Sequence, residues 1–257
     1  MDSGRLQGTA TVAPMEVVAR AKELDWYHSL ELAPGYVTPG MFDLRHQVAQ
    51  YHLPERLDGL RALDVGTWDG FWAFEMERRG AEVVALDLDD ERKLDWPANR
   101  RPDTYPDTPR GAGFALAKEV FDSKVQRVNR SIYDALPEDL GTFDLVFCGS
   151  VLIHLRDQVL AIERIGALCH GTFISVESYD PLTNLLPFPA SRYRAHRDAA
   201  VVFWEPNLRC WKAMLATAGF DRVEQRNRFK LRARGGWTVR HVVLNAHKHG
   251  APRLPGA

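Results

Sequence analysis

The sequence predicts an α/β fold: a doubly wound, mainly parallel sheet with an N-terminal helical cap. Three observations carry this prediction. Short apolar runs rich in valine and leucine alternate at least four times with segments of helical period. A strand, a glycine loop, a helix and a second strand follow one another in LDVGTWDGFWAFEMERRGAEVVALDLD, Leu63 to Asp89. The chain has 257 residues, 45% hydrophobic and 26% charged, enough for one globular core with a small appendage.

Residues 1–55 read as an N-terminal extension and cap, too short to close a core of their own. MEVVARAKELDWYHSLELAPG begins as a short helix with Val17, Val18, Ala21 and Leu24 on one side, and YVTPGMFDLRHQVAQYHLP adds another helical piece after a Pro-Gly turn. The main domain takes residues 56–250. In it ALDV and EVVALDL are buried strands, and DGFWAFEMERRG between them is a helix stopped by Gly80. RPDTYPDTPRGAG is a Pro/Gly-rich loop, FALAKEVFDS a helix, VQRVNRSIYD the third strand and FDLVFCGS the fourth. VLIHLRDQVLAIERIGALC carries Leu152, Leu155, Val159 and Ile162 at helical spacing, and GTFISVESY is the fifth strand. The irregular stretch 180–206 holds four prolines and is expected to face the substrate. LRCWKAMLATAGF is a helix ending at Gly219, and RVEQRNRF pairs with TVRHVVLNAH as terminal strands.

Bulk properties narrow the function. A net charge of -1 and a pI near 6.8 supply no global field toward nucleic acid or anionic membranes. No run reaches the roughly 18 apolar residues a membrane helix needs, and the first residues lack a secretory leader, so a cytoplasmic location is expected. Three cysteines, Cys148, Cys169 and Cys210, lack metal-type spacing and are expected to be reduced. His247 and His249 fall in an expected frayed tail, and no motif points to a metal. The sequence leaves the oligomeric state open.

The loop after the first strand exposes backbone N–H groups to a ligand. Asp87 ends the next strand, where a carboxylate can accept hydrogen bonds from ribose hydroxyls. A dinucleotide pyrophosphate needs a close-approach glycine where this chain has Trp68, and Asp69 would repel it. Asp64 and Asp69 together favour a cationic ligand, which suits S-adenosylmethionine better than NAD.

LDVGTWDGFWAFEMERRGA together with FDLVFCGSVLIHLRD resembles the class I methyltransferases, whose fold is Rossmann-like. Within them it is similar to a branch comprising the tRNA wobble-uridine methyltransferases and their small-molecule relatives. The similarity runs from WYHSLEL at 26 to WKAMLATAGF at 220. The resemblance implies that Gly66, Thr67, Trp68, Asp69 and Gly70 hold the methionine part of S-adenosylmethionine beside Asp64, and that Asp87 holds the ribose. It implies that Ser131, Ile132 and Tyr133 flank adenine, and that Cys148, Gly149 and Ser150 lie beside the methionine part. Trp68 departs from the glycine common at its place.

For chemistry, His154 follows the fourth strand by one turn and falls off the apolar stripe, a position suited to a general base; a backbone-bonding or cofactor-touching histidine fits equally. Glu177 ends the fifth strand and could serve as a base or cap the following turn. Tyr27, Tyr179, Arg192, Arg194 and Trp204 are the candidates to contact substrate, the arginines suiting an anion or an ordinary solvated surface. The function expected is methyl transfer to an oxygen, nitrogen or activated carbon of a small-molecule acceptor. A tRNA acceptor is the weaker reading, and a non-catalytic scaffold of the same fold is the reading from another class.

Overall fold

The computed structural model describes residues 14–196 and 201–251. The chain begins with α1 (Pro14–Lys22) and a small hairpin of β1 (Glu31–Ala33) and β2 (Tyr36–Val37). The nucleotide-loop unit follows as β3 (Arg61–Val65), α2 (Phe71–Arg78) and β4 (Glu82–Asp87). Next come α3 (Ala112–Phe121), β5 (Gln126–Asn129), the one-turn α4 (Pro137–Leu140), β6 (Phe143–Gly149), α5 (Gln158–Leu168) and β7 (Cys169–Ser178). A second hairpin, β8 (Ser191–Tyr193) with β9 (Trp204–Pro206), precedes α6 (Leu208–Thr217), β10 (Arg222–Arg232) and β11 (Thr238–His247).

Seven strands form one sheet in the order β10-β11-β7-β6-β3-β4-β5. From β5 to β7 the pairing is parallel, with Val65 in register with both Leu86 and Cys148. β11 runs antiparallel between β7 and β10. The strand order reverses at β3, so the carboxyl ends of β3, β4 and β6 open a crevice there. The central strands are apolar because helices cover both faces. One face packs Phe74, Met76, Phe114 and Phe147, and the other packs Phe143, Phe173, Trp211 and Phe220.

Local chemistry sets the ends of the elements. Asn207 caps α6 by accepting from the Cys210 N–H at 2.8 Å, and Gly219 leaves that helix at φ 82°. Asp157 caps α5 by accepting from the Leu160 N–H at 2.9 Å. That cap breaks the continuous helix expected from residue 151: Leu152–His154 is a separate 3-10 turn, and Val159 points outward, 44% exposed. The second helical piece expected in the cap is only a 3-10 turn, Val48–Tyr51. His247 is not in a frayed tail; it closes β11, buried, with Nδ1 3.0 Å from Thr172 Oγ1. All three cysteines are free thiols.

Candidate active site

The loop from β3 to α2 is held in left-handed backbone at Gly66 (φ 76°), Trp68 (φ 48°) and Gly70 (φ 92°). A Cβ on Gly66 would come within 2.3 Å of Val151 Cγ2. Trp68 adopts a conformation that costs a side chain roughly 1–2 kcal/mol. Its surroundings offset this: the Trp68 N–H donates to Asp87 Oδ2 at 2.7 Å, and the indole stacks on Tyr27 with centroids 4.7 Å apart. The Arg110 guanidinium also lies over the Trp68 ring, 3.7 Å from its centroid, and 3.9 Å from both Asp87 and Glu91.

Asp69 takes a different task from the one expected. Its carboxylate is fully buried and turned to the N-terminal segment, where it accepts from the Tyr27 N–H at 2.9 Å, the His28 N–H at 2.7 Å and pairs with His28 Nδ1. Asp69 therefore pins the cap to the loop and lies outside the cavity wall. Thr67 and Gly70 also lie behind the wall.

Over the carboxyl ends of the strands lies a cavity of about 860 Å³. Asp64, Gly66, Trp68, Asp87, Ser131, Ile132, Gly149, Ser150 and His154 line it together, so most of the residues singled out from the sequence converge. Asp64 Oδ2 is buried and makes no well-formed hydrogen bond, although the Thr67 hydroxyl and the Ala73 N–H favour the charge of its carboxyl. Burial pushes the Asp64 carboxyl up to about 7, with the nearby Asp87 charge acting in the same direction. Tyr133 stands outside: its hydroxyl donates to Asp95 at 2.6 Å and accepts from the Asp157 N–H at 3.0 Å, bracing the floor. Cys148 is buried behind Gly149, its thiol 3.8 Å from Glu177 and raised by burial.

The two candidates for base separate clearly. His154 lines the cavity and bonds through Nδ1 to the Val201 carbonyl, which fixes the proton on Nδ1 and leaves Nε2 as an acceptor. Burial holds its pKa below the usual value, against the Val201 carbonyl, and the charge of Arg110 adds to the lowering. Glu177 is outside the wall. It accepts from the Val151 N–H at 3.1 Å and the Leu152 N–H at 3.0 Å, capping the turn that presents His154, and burial pushes it up to about 8. Its other oxygen, Oε2, is buried without a hydrogen-bond partner.

Of the substrate candidates, Tyr27 and Arg194 line the cavity. Arg194 donates to Glu205 at 2.7 Å. Arg192 is committed to Glu205 at 3.0 Å and Asp180 at 3.3 Å, Tyr179 is buried in the core, and Trp204 donates to the Arg156 carbonyl at 3.1 Å; all three lie outside the wall. The wall also holds His28, which the sequence places in a segment suited to close over the cofactor or simply to pack, and residues the sequence reading passed over: Trp72, Asp95, Arg110, Trp237 and His241. A histidine on the inward side of the apolar strand TVRHVVLNAH was a legible clue to His241; Arg110 carried no local one. Among the described residues no group of three His, Cys, Asp or Glu side chains could hold a metal ion, and no helix is long and apolar enough to cross a membrane.

Fold and crevice define an α/β protein whose cavity opens at the switch point of a doubly wound sheet, where such folds bind ligands. Residues 36–225 match the methyltransferase domain model, and the chain belongs to that family. It is similar to the tRNA U34 carboxymethyltransferase of Desulforapulum autotrophicum, 26% identical over 166 residues, 63% of this chain and 45% of that one. It is 30% identical over 135 residues to the ubiquinone biosynthesis O-methyltransferase of Vibrio parahaemolyticus, 50% of each chain. The chain thus spans about half the length of these curated relatives. Among solved structures, the N-terminal domain of EvdMO1 with SAH bound superposes with a TM-score of 0.66 at 19% identity, covering 95% of this chain and 100% of that one. The YcgJ protein of Bacillus subtilis gives 0.54 at 15% identity, over 80% and 97%. At such identities the likeness is one of fold.

Proposed function

We propose that the protein transfers a methyl group from S-adenosylmethionine to a small-molecule acceptor. The observation that carries this reading is the buried Asp64 carboxyl, incompletely satisfied and lining the cavity beside the glycine turn that a side chain would block. Such a group favours a cation in the crevice. Bound there, S-adenosylmethionine supplies an electrophilic methyl group on a positively charged sulfur.

In this reading Gly66 and Gly149 let the backbone approach the methionine part, and Asp64 faces its positive charge. Asp87, already fixed by the Trp68 and Leu88 N–H groups, accepts from the ribose hydroxyls, while Ser131 and Ile132 flank the adenine. His154 Nε2, a free acceptor in the same cavity, is the group that takes up the proton released on transfer. The described part of 180–206 contributes Arg194, Val201, Val202 and Glu205 to the wall, which supports its reading as an acceptor-facing insertion.

Calorimetric titration with S-adenosylhomocysteine tests the cofactor reading. Micromolar binding is expected, weakened by roughly 1–3 kcal/mol in Asp87→Ala through lost charge-assisted hydrogen bonds; no binding at high micromolar concentration sinks it. For His154→Ala the expected outcome is turnover reduced by about 10²–10⁴ with S-adenosylhomocysteine affinity kept. If affinity falls with turnover, His154 is a cofactor contact and not the base.

The likeness to the tRNA U34 carboxymethyltransferase supports a second reading, transfer to a tRNA wobble uridine. It predicts modification of bulk tRNA in a transfer assay and binding that weakens steeply with salt. The near-neutral charge favours the small molecule.

A further inference from the structure

The cavity extends well beyond the groups assigned to the donor. Asp87 ends β4 on one side of β3, whereas Ser150 follows β6 and His241 sits on β11, displaced along the sheet edge in the other direction. At that end the wall is apolar. Phe42 meets Trp237 edge to face at 5.6 Å, Leu231 and Val239 face each other across β10 and β11, and Met41 and Trp237 are about half exposed at the mouth.

One polar device interrupts this apolar end. Ser150 Oγ lies 2.7 Å from Nε2 of His241, a residue 2% exposed whose ring stacks on Phe229. His241 Nδ1 faces the Val239 carbonyl at 3.4 Å. A carbonyl oxygen only accepts, so a proton on Nδ1 satisfies both contacts, and in that tautomer Nε2 accepts from the Ser150 hydroxyl. With its proton committed, Ser150 Oγ offers only lone pairs to a ligand. Ser150 is held at φ 58° with its N–H donating to the Val176 carbonyl, an uncommon conformation for a side chain and a mark of functional constraint.

We propose that this end is the acceptor subsite, that it takes a flat apolar molecule presenting a neutral hydroxyl or amine, and that His241 is the positioning residue that aims Ser150 at that group. The inference rests on the methyl-transfer reading and names its substrate class. A carboxylate fails there on two counts: it has no hydrogen to give Ser150, and the apolar walls return nothing for its lost hydration. His241 does not serve as the base, because burial holds it at about 4, leaving it neutral and a constant acceptor at physiological pH.

The test uses three isosteric probes, 2-naphthol, 2-naphthylamine and 2-naphthoate, titrated into the full chain with and without S-adenosylhomocysteine. The naphthol and the naphthylamine are expected to bind at least tenfold more tightly than the naphthoate, and whichever binds better tells hydroxyl from amine. His241→Phe keeps a ring but removes the acceptor; it should weaken 2-naphthol about tenfold and leave 2-naphthoate unchanged. His241→Gln, whose amide oxygen can accept the same bond, should restore most of the loss, which a purely structural role would not predict. Where His241→Phe fails to fold, Ser150→Gly removes the hydroxyl while suiting the positive φ, and the same tenfold loss is expected. Naphthoate binding as tight as naphthol, no naphthol binding, or a folded variant that keeps naphthol affinity overturns the proposal. Failure of S-adenosylhomocysteine alone to bind overturns the donor reading instead, because the probes report the subsite without it.

Discussion

Asp69→Ala is the perturbation whose cost can be worked out most directly. The carboxylate is fully buried and accepts from two backbone N–H groups, of Tyr27 at 2.9 Å and His28 at 2.7 Å, besides pairing with the His28 imidazole. Alanine leaves all three donors without a partner away from water, at about 1–3 kcal/mol each. The losses fall on one segment and share its relaxation, so they do not add in full. The segment also stays tied from its other side, where the Ser29 N–H donates to the Phe42 carbonyl at 2.9 Å and Thr38 Oγ1 donates to the His28 carbonyl at 3.1 Å. A net loss of roughly 3–5 kcal/mol is expected, in line with breaking a buried pair. For a chain of this size that is a fall in Tm of roughly 6–20 °C. Asp69→Asn keeps an oxygen for both backbone N–H groups and should lose about 1–2 kcal/mol. Urea and thermal unfolding at pH 7.5 measure both. An alanine variant within 1 kcal/mol of the parent, or an asparagine variant as damaged as the alanine, would refute the clamp.

Three further outcomes follow from the same geometry. Glu177 has a folded pKa of about 8 against an ordinary value near 4.5, so between these the folded state holds a proton that the unfolded chain has released. Stability should therefore fall as pH rises toward 8, and Glu177→Gln should flatten the fall between pH 7 and 8 in urea titrations, whereas Glu177→Ala should cost about 2–4 kcal/mol by stranding the Val151 and Leu152 N–H groups. Gly66→Ala should lose S-adenosylhomocysteine binding by more than about tenfold in calorimetry, because φ 76° and a 2.3 Å approach to Val151 both oppose a side chain. Asp64, near 7 when the crevice is empty, ionises as pH rises from 6 to 8, so affinity for the cationic S-adenosylmethionine should increase over that range in the parent and stay flat in Asp64→Asn.

The fold was readable where information is local. Leu63–Val65, the loop glycines and the helix before Gly80 lie within one short stretch, and each element there follows from its own residues. Val159 misled because its spacing matched a helical stripe, while the Asp157 cap restarted the helix and rotated that residue outward. In the site, Asp64, Gly66 and Asp87 could be placed from the strand-turn-helix pattern alone. Asp69 could not: its direction depends on the left-handed turn at Trp68 and on Tyr27 and His28, more than forty residues earlier. Arg110 and His241 reach the cavity from elements remote in sequence, a placement set by topology and not by neighbours along the chain.

β11 threads between β7 and β10, although both precede it in the chain. A nascent chain that has emerged as far as β7 already possesses the glycine turn and Asp87, yet it lacks His241, Val239 and Trp237. Its sheet also ends in an uncovered edge along β7, open to pairing with a wrong strand. Closing that edge and completing the cavity wall are thus one event, so a chain stalled before residue 238 leaves both the edge and the wall unfinished for the same topological reason.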